Sequence, residues 1–335
     1  MNKIVSAPQI DATNLNPLDA DGVYKQLGAI LVDPEASAQV KEAAVWKLCD
    51  LSRSEDNHLA LVEAGVHIQL GLLLVDKRAT DQVKQYAAQI LRNLSFNESH
   101  SKRLVLDGLH IPLGALLIAQ EGATPDAKLY AAQVLCNLSA NEASCQRLVL
   151  DGVHVPLGAL LIAQEGATPD AKEDAAGALM NLSSNTDNHV ALVKCGVYKQ
   201  LGTLINDSNA TECAKERAAG ALFLLSRNPD NHAALVKGGV YKQLGTLIND
   251  SNATECAKER AAQALTYLDQ EASRAIDPGA IVLDNLDQGA SRAIDPGVIV
   301  LDNLDQGASH AIDPGVIAFD NLDQEPPPGQ CCTTM

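Results

Sequence analysis

Three asparagines return at a spacing of 44 residues, each in nearly the same phrase: Asn93 in "LRNLSFNE", Asn137 in "LCNLSANE" and Asn181 in "LMNLSSNT". A carboxamide carries an acceptor and two donors, so one side chain can pair with both the C=O and the N–H of a peptide unit. Three chemistries compete for these residues. Asn-Leu-Ser is a formal glycosylation sequon; asparagine also favours helix ends, where it caps; and a regular row of amides can hold another chain. Tyr86 and Gln89 precede Asn93 at helical steps, and Tyr130 and Gln133 precede Asn137 in the same way. That shared face favours a binding row over a cap.

The other reactive side chains do not converge. His58, His100, His189 and His232 stand in "DNH" or "ESH" phrases that start helices, while His67, His110 and His154 follow a recurring glycine. Each lies about one unit from the next, which makes rows and not a site; triad partners and HxxxH spacing are missing. The expectation is a non-enzyme without cofactor or metal. Cys49, Cys136, Cys145, Cys195, Cys213 and Cys256 are scattered singly through helical patterns without zinc-ligand spacing. They read as reduced, buried thiols of a cytoplasmic chain, nuclear as well in one reading. "MNKIVSAPQIDATNLNP" has too short an apolar run for a signal peptide, and no later segment is long and apolar enough for a bilayer. The sequons, including Asn209-Ala210-Thr211 and Asn252-Ala253-Thr254, are therefore expected to be unused. The final Cys332-Thr333-Thr334-Met335 has C-a-a-X form. Its threonines, and the acidic residues upstream, suit a membrane poorly. Prenylation of Cys332 with palmitoylation of Cys331 stays open beside an unmodified end, and a membrane is a partner only in the first case.

Stepping from these side chains to the elements that carry them, 335 residues at 46% hydrophobic and 3% aromatic suit close-packed helices. The net charge of −17 argues against nucleic acid. Residues 269–335 hold twelve acids and two arginines, −10, which leaves −7 for residues 1–268. Aligned glycines fall at 22, 65, 108, 152, 196 and 239, in steps of 43, 43, 44, 44 and 43. Residues 196–219 and 239–262 are identical, and 105–128 differs from 149–172 only at Leu109/Val153 and Ile111/Val155. Each unit reads as three helices. "NHLALVEAG" (57–65) ends at Gly65, suited to a left-handed cap. "VHIQLGLLLV" (66–75) follows, then a polar loop, with Pro125 or Pro169 placed to open the third helix in later units. In the third helix (81–95), Val83, Ala87, Ile90, Leu91 and Leu94 form one apolar stripe.

The period, the glycine turn and the phrases "ALVEAG" and "AAxxLxNLS" resemble the armadillo repeat over residues 21–268; HEAT repeats share the period but usually have two helices and no such glycine. The resemblance implies an all-α, armadillo-type right-handed superhelical solenoid whose third helices line a concave groove. It also implies that Asn93, Asn137 and Asn181 form a ladder holding a partner's extended backbone. Asp50, Leu224 and Tyr267 interrupt the ladder in the first, fifth and sixth repeats. Trp46 is the sole tryptophan, where import adaptors of this family carry an array. The matching positions here are Gln89, Gln133, Gly177, Gly220 and Gln263, which speaks against a basic import signal while leaving a nuclear transport adaptor as the alternative. The expected function is a monomeric scaffold or adaptor that binds a protein segment through Trp46, Tyr86, Gln89, Asn93, Tyr130, Gln133, Asn137 and Asn181. Arg217 and Arg260 read either as anchors for an acidic partner residue or as solvated ion pairs beside Glu216 and Glu259. Residues 1–20 form an extension. Residues 269–325, which hold an 18-residue repeat, form a weakly ordered acidic tail, and 326–335 a proline-rich end.

Overall fold

The structure, a computed structural model, describes residues 20–275 apart from 120 and 164. The readings made of residues 1–19, of the 18-residue repeats beyond 275, and of Cys331 and Cys332 lie outside the described residues. Within them the regular structure is wholly helical. Repeat 1 contributes α1 (Ala20–Val32) and α2 (Ala38–Leu51). Repeat 2 is α3 (His58–Glu63), α4 (Val66–Val75) and α5 (Asp81–Leu94). Repeat 3 is α6 (Glu98–Leu106), α7 (His110–Ile118) and α8 (Pro125–Ser139). Repeat 4 is α9 (Glu142–Leu150), α10 (His154–Leu161) and α11 (Pro169–Ser183). Repeat 5 is α12 (His189–Lys194), α13 (Val197–Ile205) and α14 (Glu212–Ser226). Repeat 6 is α15 (His232–Lys237), α16 (Val240–Asn249) and α17 (Glu255–Ala275).

Local chemistry sets the boundaries. Gly65, Gly108, Gly152, Gly196 and Gly239 all have φ between 75° and 81°. A Cβ at Gly65 would meet nothing within 4 Å, so the backbone conformation itself selects glycine there. Gly22 differs from its aligned counterparts: α1 already runs through it, so no turn is made. Thr80, Thr124, Thr168, Thr211 and Thr254 each accept the backbone N–H three residues on, capping α5, α8, α11, α14 and α17. The last two are the threonines of the Asn-Ala-Thr sequons. Pro125 and Pro169 open α8 and α11, where the missing N–H costs nothing. Beyond residue 268, α17 continues to Ala275 through a segment without glycine or proline.

Packing then runs from repeat to repeat. The stripe Val83, Ala87, Ile90, Leu91 and Leu94 is buried, as its spacing predicts. The doublets Ala87-Ala88, Ala131-Ala132, Ala175-Ala176 and Ala218-Ala219 are fully buried where third helices stack α5 on α8, α8 on α11, α11 on α14 and α14 on α17. In α17 the second alanine of the doublet, Ala262, is exposed, and among the described residues no further third helix follows α17. Second helices approach as closely. A Cβ on Gly71 would come 2.5 Å from Leu109 Cδ1, and one on Gly202 would come 1.7 Å from Gln243 Oε1. Lysines on the third helices span the next loop: Lys172 Nζ lies 3.0 Å from Asp207 and Lys215 Nζ 3.4 Å from Asp250. Each of those aspartates also accepts a backbone N–H two residues on, fixing the loop.

Gly202→Ala is expected to cost at most about 1 kcal/mol, because the new Cβ meets only the flexible end of Gln243 and alanine gains about 1 kcal/mol over glycine inside α13. Gln243→Ala in the same chain should recover most of it, because Gln243 Oε1 is buried without a partner. Urea midpoints of the two single variants and the double variant check this; a raised midpoint for Gly202→Ala would mean that α13 and α16 have room to spare.

Candidate functional site

The asparagines stand at equivalent places near the ends of α5, α8 and α11, and each reaches back one repeat. Asn93 Nδ2 donates to Ser52 Oγ (3.0 Å), Asn137 Nδ2 to Ser95 Oγ (2.8 Å) and Asn181 Nδ2 to Ser139 Oγ (3.2 Å). No asparagine caps its own helix through these bonds. The serines can accept because their own hydroxyls donate one turn back along the helix, Ser52 to Cys49 O, Ser95 to Arg92 O and Ser139 to Cys136 O, each at 2.8 Å. One N–H and the carbonyl of Asn93 and of Asn137 remain, whereas Asn181 Nδ2 also donates to Cys136 O at 3.4 Å, so that its carbonyl is what remains. Arg92 Nη1 donates to Asn93 Oδ1 at 3.3 Å. Among the described residues no donor faces Oδ1 of Asn137 or Asn181, and both residues are half-exposed.

The neighbouring side chains are tied in the same direction. Gln89 Oε1 accepts from Cys49 Sγ (3.3 Å), and Gln133 Oε1 accepts from Arg92 Nε (3.2 Å). Arg92 also lies over the Phe96 ring at 4.6 Å. Tyr86 and Tyr130 are half-buried against the core instead of standing free on the face. Burial pushes the Tyr130 hydroxyl above its ordinary value. Trp46 is 54% exposed on α2, one repeat before this cluster. Beside Asn181 a pocket of 170 Å³, lined by Ser139, Glu142, Cys145 and Asn185 among others, opens between repeats 3 and 4. It is large enough for one modest side chain.

Repeats 5 and 6 alter the face. Arg217 occupies the place of Tyr86, Tyr130 and Asp174, and it binds the preceding repeat: Glu173 Oε1 at 3.2 Å and Asp174 Oδ1 at 3.3 Å. Arg260 sits one repeat further, with Glu216 at 3.9 Å and Met180 Sδ at 3.2 Å. Neither arginine pairs with the glutamate next to it in sequence, because consecutive helical residues point to different faces. Gly177 and Gly220 make room: a Cβ would stand 2.8 Å from Arg217 Nη1 and 2.3 Å from Arg260 Nη1 respectively. Burial raises the Asp174 carboxyl above its usual range despite Arg217.

The histidines hold repeats together. His58, His189 and His232 donate from Nε2 to the carbonyls of Ser52, Ser183 and Ser226 at 2.7, 2.8 and 2.6 Å. In repeats 3 and 4 the same place is filled by Ser101, at 2.6 Å from Ser95 O, and Cys145, at 2.9 Å from Ser139 O. His100 therefore does not start its helix as its phrase suggests; it is the third residue of α6, with its ring 6.2 Å from that of His58. His67 and His110 donate from Nε2 to Asp107 and Asp151 of the next repeat, both at 2.7 Å. Both Nδ1 atoms are buried without partners. His154 meets Cys195 Sγ at 3.2 Å instead. Among the described residues no cluster of histidine, cysteine and carboxylate could hold a metal. The cysteines are free but not uniformly buried: Cys195 and Cys213 are exposed, whereas burial pushes the Cys136 and Cys145 thiols up to about 11. A larger cavity of 590 Å³ lies away from the asparagines, around Lys172, Asp207 and Gln243. Its Lys172–Asp207 pair is already joined, and the unpartnered polar atom in its lining is Gln243 Oε1.

The serines of the "NLS" phrase, Arg92 and the lysine row were not singled out in the sequence. The serine recurs two residues after each asparagine, and that was the available signal.

The repeats define an α-helical solenoid, and solved structures give it a finer class. A computationally designed armadillo repeat protein for modular peptide recognition is 24% identical, with a TM-score of 0.62, over 73% of this chain and 99% of its own. A designed armadillo repeat protein in complex with the peptide (KR)4 is 24% identical with a TM-score of 0.59, over 73% and 99%. An engineered protein is 20% identical with a TM-score of 0.60, over 74% and 98%. No protein-family model and no curated protein matches the chain. The chain has the armadillo repeat fold.

Burial raises the Asp107 carboxyl, but the bonds from His67 and Arg103 outweigh it and hold the group below its ordinary range. A carboxyl depressed in the folded state adds stability that is complete above about pH 4 and fades as pH falls through the lower folded value. Asp107→Asn should therefore lower the urea midpoint between pH 5 and 7, with the gap to wild type closing below about pH 4. A gap independent of pH would mean that the carboxylate is not what joins repeats 2 and 3.

Proposed function

We infer that the chain is a non-enzymatic scaffold or adaptor that binds an extended segment of a protein partner along the third helices of repeats 2 to 4. One observation supports this more than any other. Asn137 and Asn181 stand on adjacent third helices, each oriented by a serine of the repeat before, with the carboxamide carbonyl unmatched among the described residues. Neighbouring helices lie about 8–10 Å apart, a distance an extended chain covers in roughly three residues. Each bond adds only about 0.5–1.5 kcal/mol net, so side-chain contacts must add affinity, and the pocket beside Asn181 is the nearest place for one. The likeness to designed proteins described as made for peptide recognition, one in complex with (KR)4, agrees with this reading.

The nuclear-adaptor alternative is weaker for a physical reason. Trp46 stands without an array, and Arg92, Arg217 and Arg260 lie on the third helices, with Glu173 and Asp174 already paired to Arg217. A lysine-rich segment would meet cations there. The chain acts as a monomer in the cytoplasm in this reading, with no nucleic acid and no membrane unless the terminal cysteines carry lipid.

A quantitative pull-down from native lysate tests the function. Asn93→Ala/Asn137→Ala/Asn181→Ala should lose partners that wild type retains, at equal helicity by circular dichroism. Those substitutions also remove the bonds between repeats, so Ser52→Ala/Ser95→Ala/Ser139→Ala serves as control. It breaks the same bonds but keeps the amides, and should hold partners more weakly than wild type, because the amides are no longer fixed in advance, yet more tightly than the asparagine variant. Loss in both variants alike would assign the asparagines to the stack alone, and retention in both would move recognition elsewhere.

A further inference from the structure

The opposite side of each repeat carries a surface that the fold does not require. The residues three, seven and ten places after the left-handed glycine point outward from the second helices. In α4 they are Ile68, Leu72 and Val75, all exposed; in α13 they are Lys199, Thr203 and Asn206, also exposed. The helices α4, α7 and α10 are neighbours in the stack, and α7 and α10 continue the apolar choice with Ile111 and Val155 at the first of these places. The residue two places before the glycine behaves alike. Leu106 and Leu150 are 82% and 75% exposed, whereas repeats 5 and 6 have Lys194 and Lys237 there. Polar residues thus fit every one of these places; repeats 2 to 4 expose aliphatic residues on their second helices, and repeats 3 and 4 do so before the glycine as well, where repeat 2 has Glu63. Exposed aliphatic residues at one register on three neighbouring helices differ from single scattered ones, which need no explanation.

The patch has a charged end. Lys194, Lys199, Lys237 and Lys242 are exposed on repeats 5 and 6, and none takes part in an ion pair among the described residues, in a chain of net charge −17. We propose that this face binds a helix or strip of a partner protein that is apolar along one side and acidic at one end, its apolar side on α4, α7 and α10 and its acids against the lysines of repeats 5 and 6. Charge complementarity selects this occupant. Across a twofold axis through α7, a second copy would set its α1 against the lysines, and the outward residue there is Lys25. An anionic lipid surface would be repelled by the net charge, and the lysines lie at one end of the patch and not around it.

The test uses the full chain and a synthetic probe, a fluorescein-labelled helical peptide of about 18 residues with leucines on one face and glutamates at its C-terminal end. A control peptide has lysines in place of the glutamates. By fluorescence anisotropy at low salt, the glutamate peptide should bind about tenfold more tightly, with the preference shrinking as salt rises. Lys194→Gln/Lys199→Gln/Lys237→Gln/Lys242→Gln should abolish the preference. Leu72→Thr/Ile111→Thr should weaken both peptides; threonine is the residue that α13 and α16 carry at the place of Leu72. The triple asparagine variant should bind the probe as wild type does, which separates this surface from the third-helix site. No binding, equal binding of both peptides, or binding unchanged in these variants overturns the proposal. So does flotation with vesicles of phosphatidylserine and phosphatidylcholine without peptide binding, or a dimer in sedimentation that the Leu72→Thr/Ile111→Thr substitutions dissolve.

Discussion

Each third helix of repeats 1 to 3 ends on a serine whose carbonyl and hydroxyl are both committed to other segments, and the stack depends on that junction. The last turn of any helix leaves carbonyls without intrahelical donors. In repeat 2 the Ser95 carbonyl takes the hydroxyl of Ser101, which belongs to the next first helix, while the Ser95 hydroxyl takes the amide of Asn137 from the next third helix. One residue thus joins the end of its own repeat to two helices of the following one. The chemistry of the incoming donor is free to vary as long as it donates. Histidine fills the place at 58, 189 and 232, serine at 101 and cysteine at 145, all six residues after the serine whose carbonyl they meet. That tolerance explains the row of His58, His189 and His232: they are helix-end donors, and a buried carbonyl left without one would cost more than the bond itself contributes.

The same junction divides the molecule. Repeats 3 and 4 differ at only two places between 105–128 and 149–172, and repeats 5 and 6 share an identical 24-residue stretch, so the second helices of each pair present one kind of surface twice. On the third helices the asparagine place becomes Leu224 and Tyr267, and the place of Tyr86, Tyr130 and Asp174 becomes Arg217 and Arg260. On the second helices the exposed aliphatic residues give way to Lys199 and Lys242. Both faces therefore change between repeats 4 and 5, which is what internal duplication of whole repeats produces. The packing adjusts at the same step: Gly177 and Gly220 remove the side chains that the two arginines would strike.

The helices were legible in the sequence because their determinants are local. The stripe from Val83 to Leu94 needs only helical spacing, and the turn at Gly65 needs only a residue that accepts positive φ. The side-chain partners were less legible because they are some 40 residues apart. Spacing placed Gln89 and Gln133 on a common face, but not against Cys49 and Arg92 of the repeat before. Spacing puts the tyrosines on that face too, but an aromatic ring at such a place can lean into the core, as Tyr86 and Tyr130 do. The choice between cap and binding group for asparagine omitted the role that the structure shows. Both ends of the bond were nonetheless in the quoted phrase, the asparagine of one copy and the serine of the copy before. His100 was misplaced because its neighbours "ESH" look like "DNH"; counting seven residues back from Gly108 gives Ser101, as it gives His58 from Gly65.

The bond to serine bears directly on how these asparagines could bind. Fixing a free polar side chain on association costs about 0.5–1.5 kcal/mol, comparable to the net value of one hydrogen bond. An amide already held through one N–H has met that cost in the unbound protein, so a partner's backbone N–H gains the carbonyl without ordering the side chain. This advantage is not equal along the row. Asn93 has its carbonyl engaged by Arg92, whose guanidinium is in turn held by Gln133 and by the Phe96 ring. A chain reaching the Asn93 carbonyl must share it with Arg92 or dislodge that cation, while no donor among the described residues stands at the carbonyls of Asn137 and Asn181. Under the proposed function, the centre of recognition therefore falls on repeats 3 and 4, next to the pocket at Asn181. Repeat 2 then contributes only to partners that bring an acid to satisfy the Arg92 they dislodge.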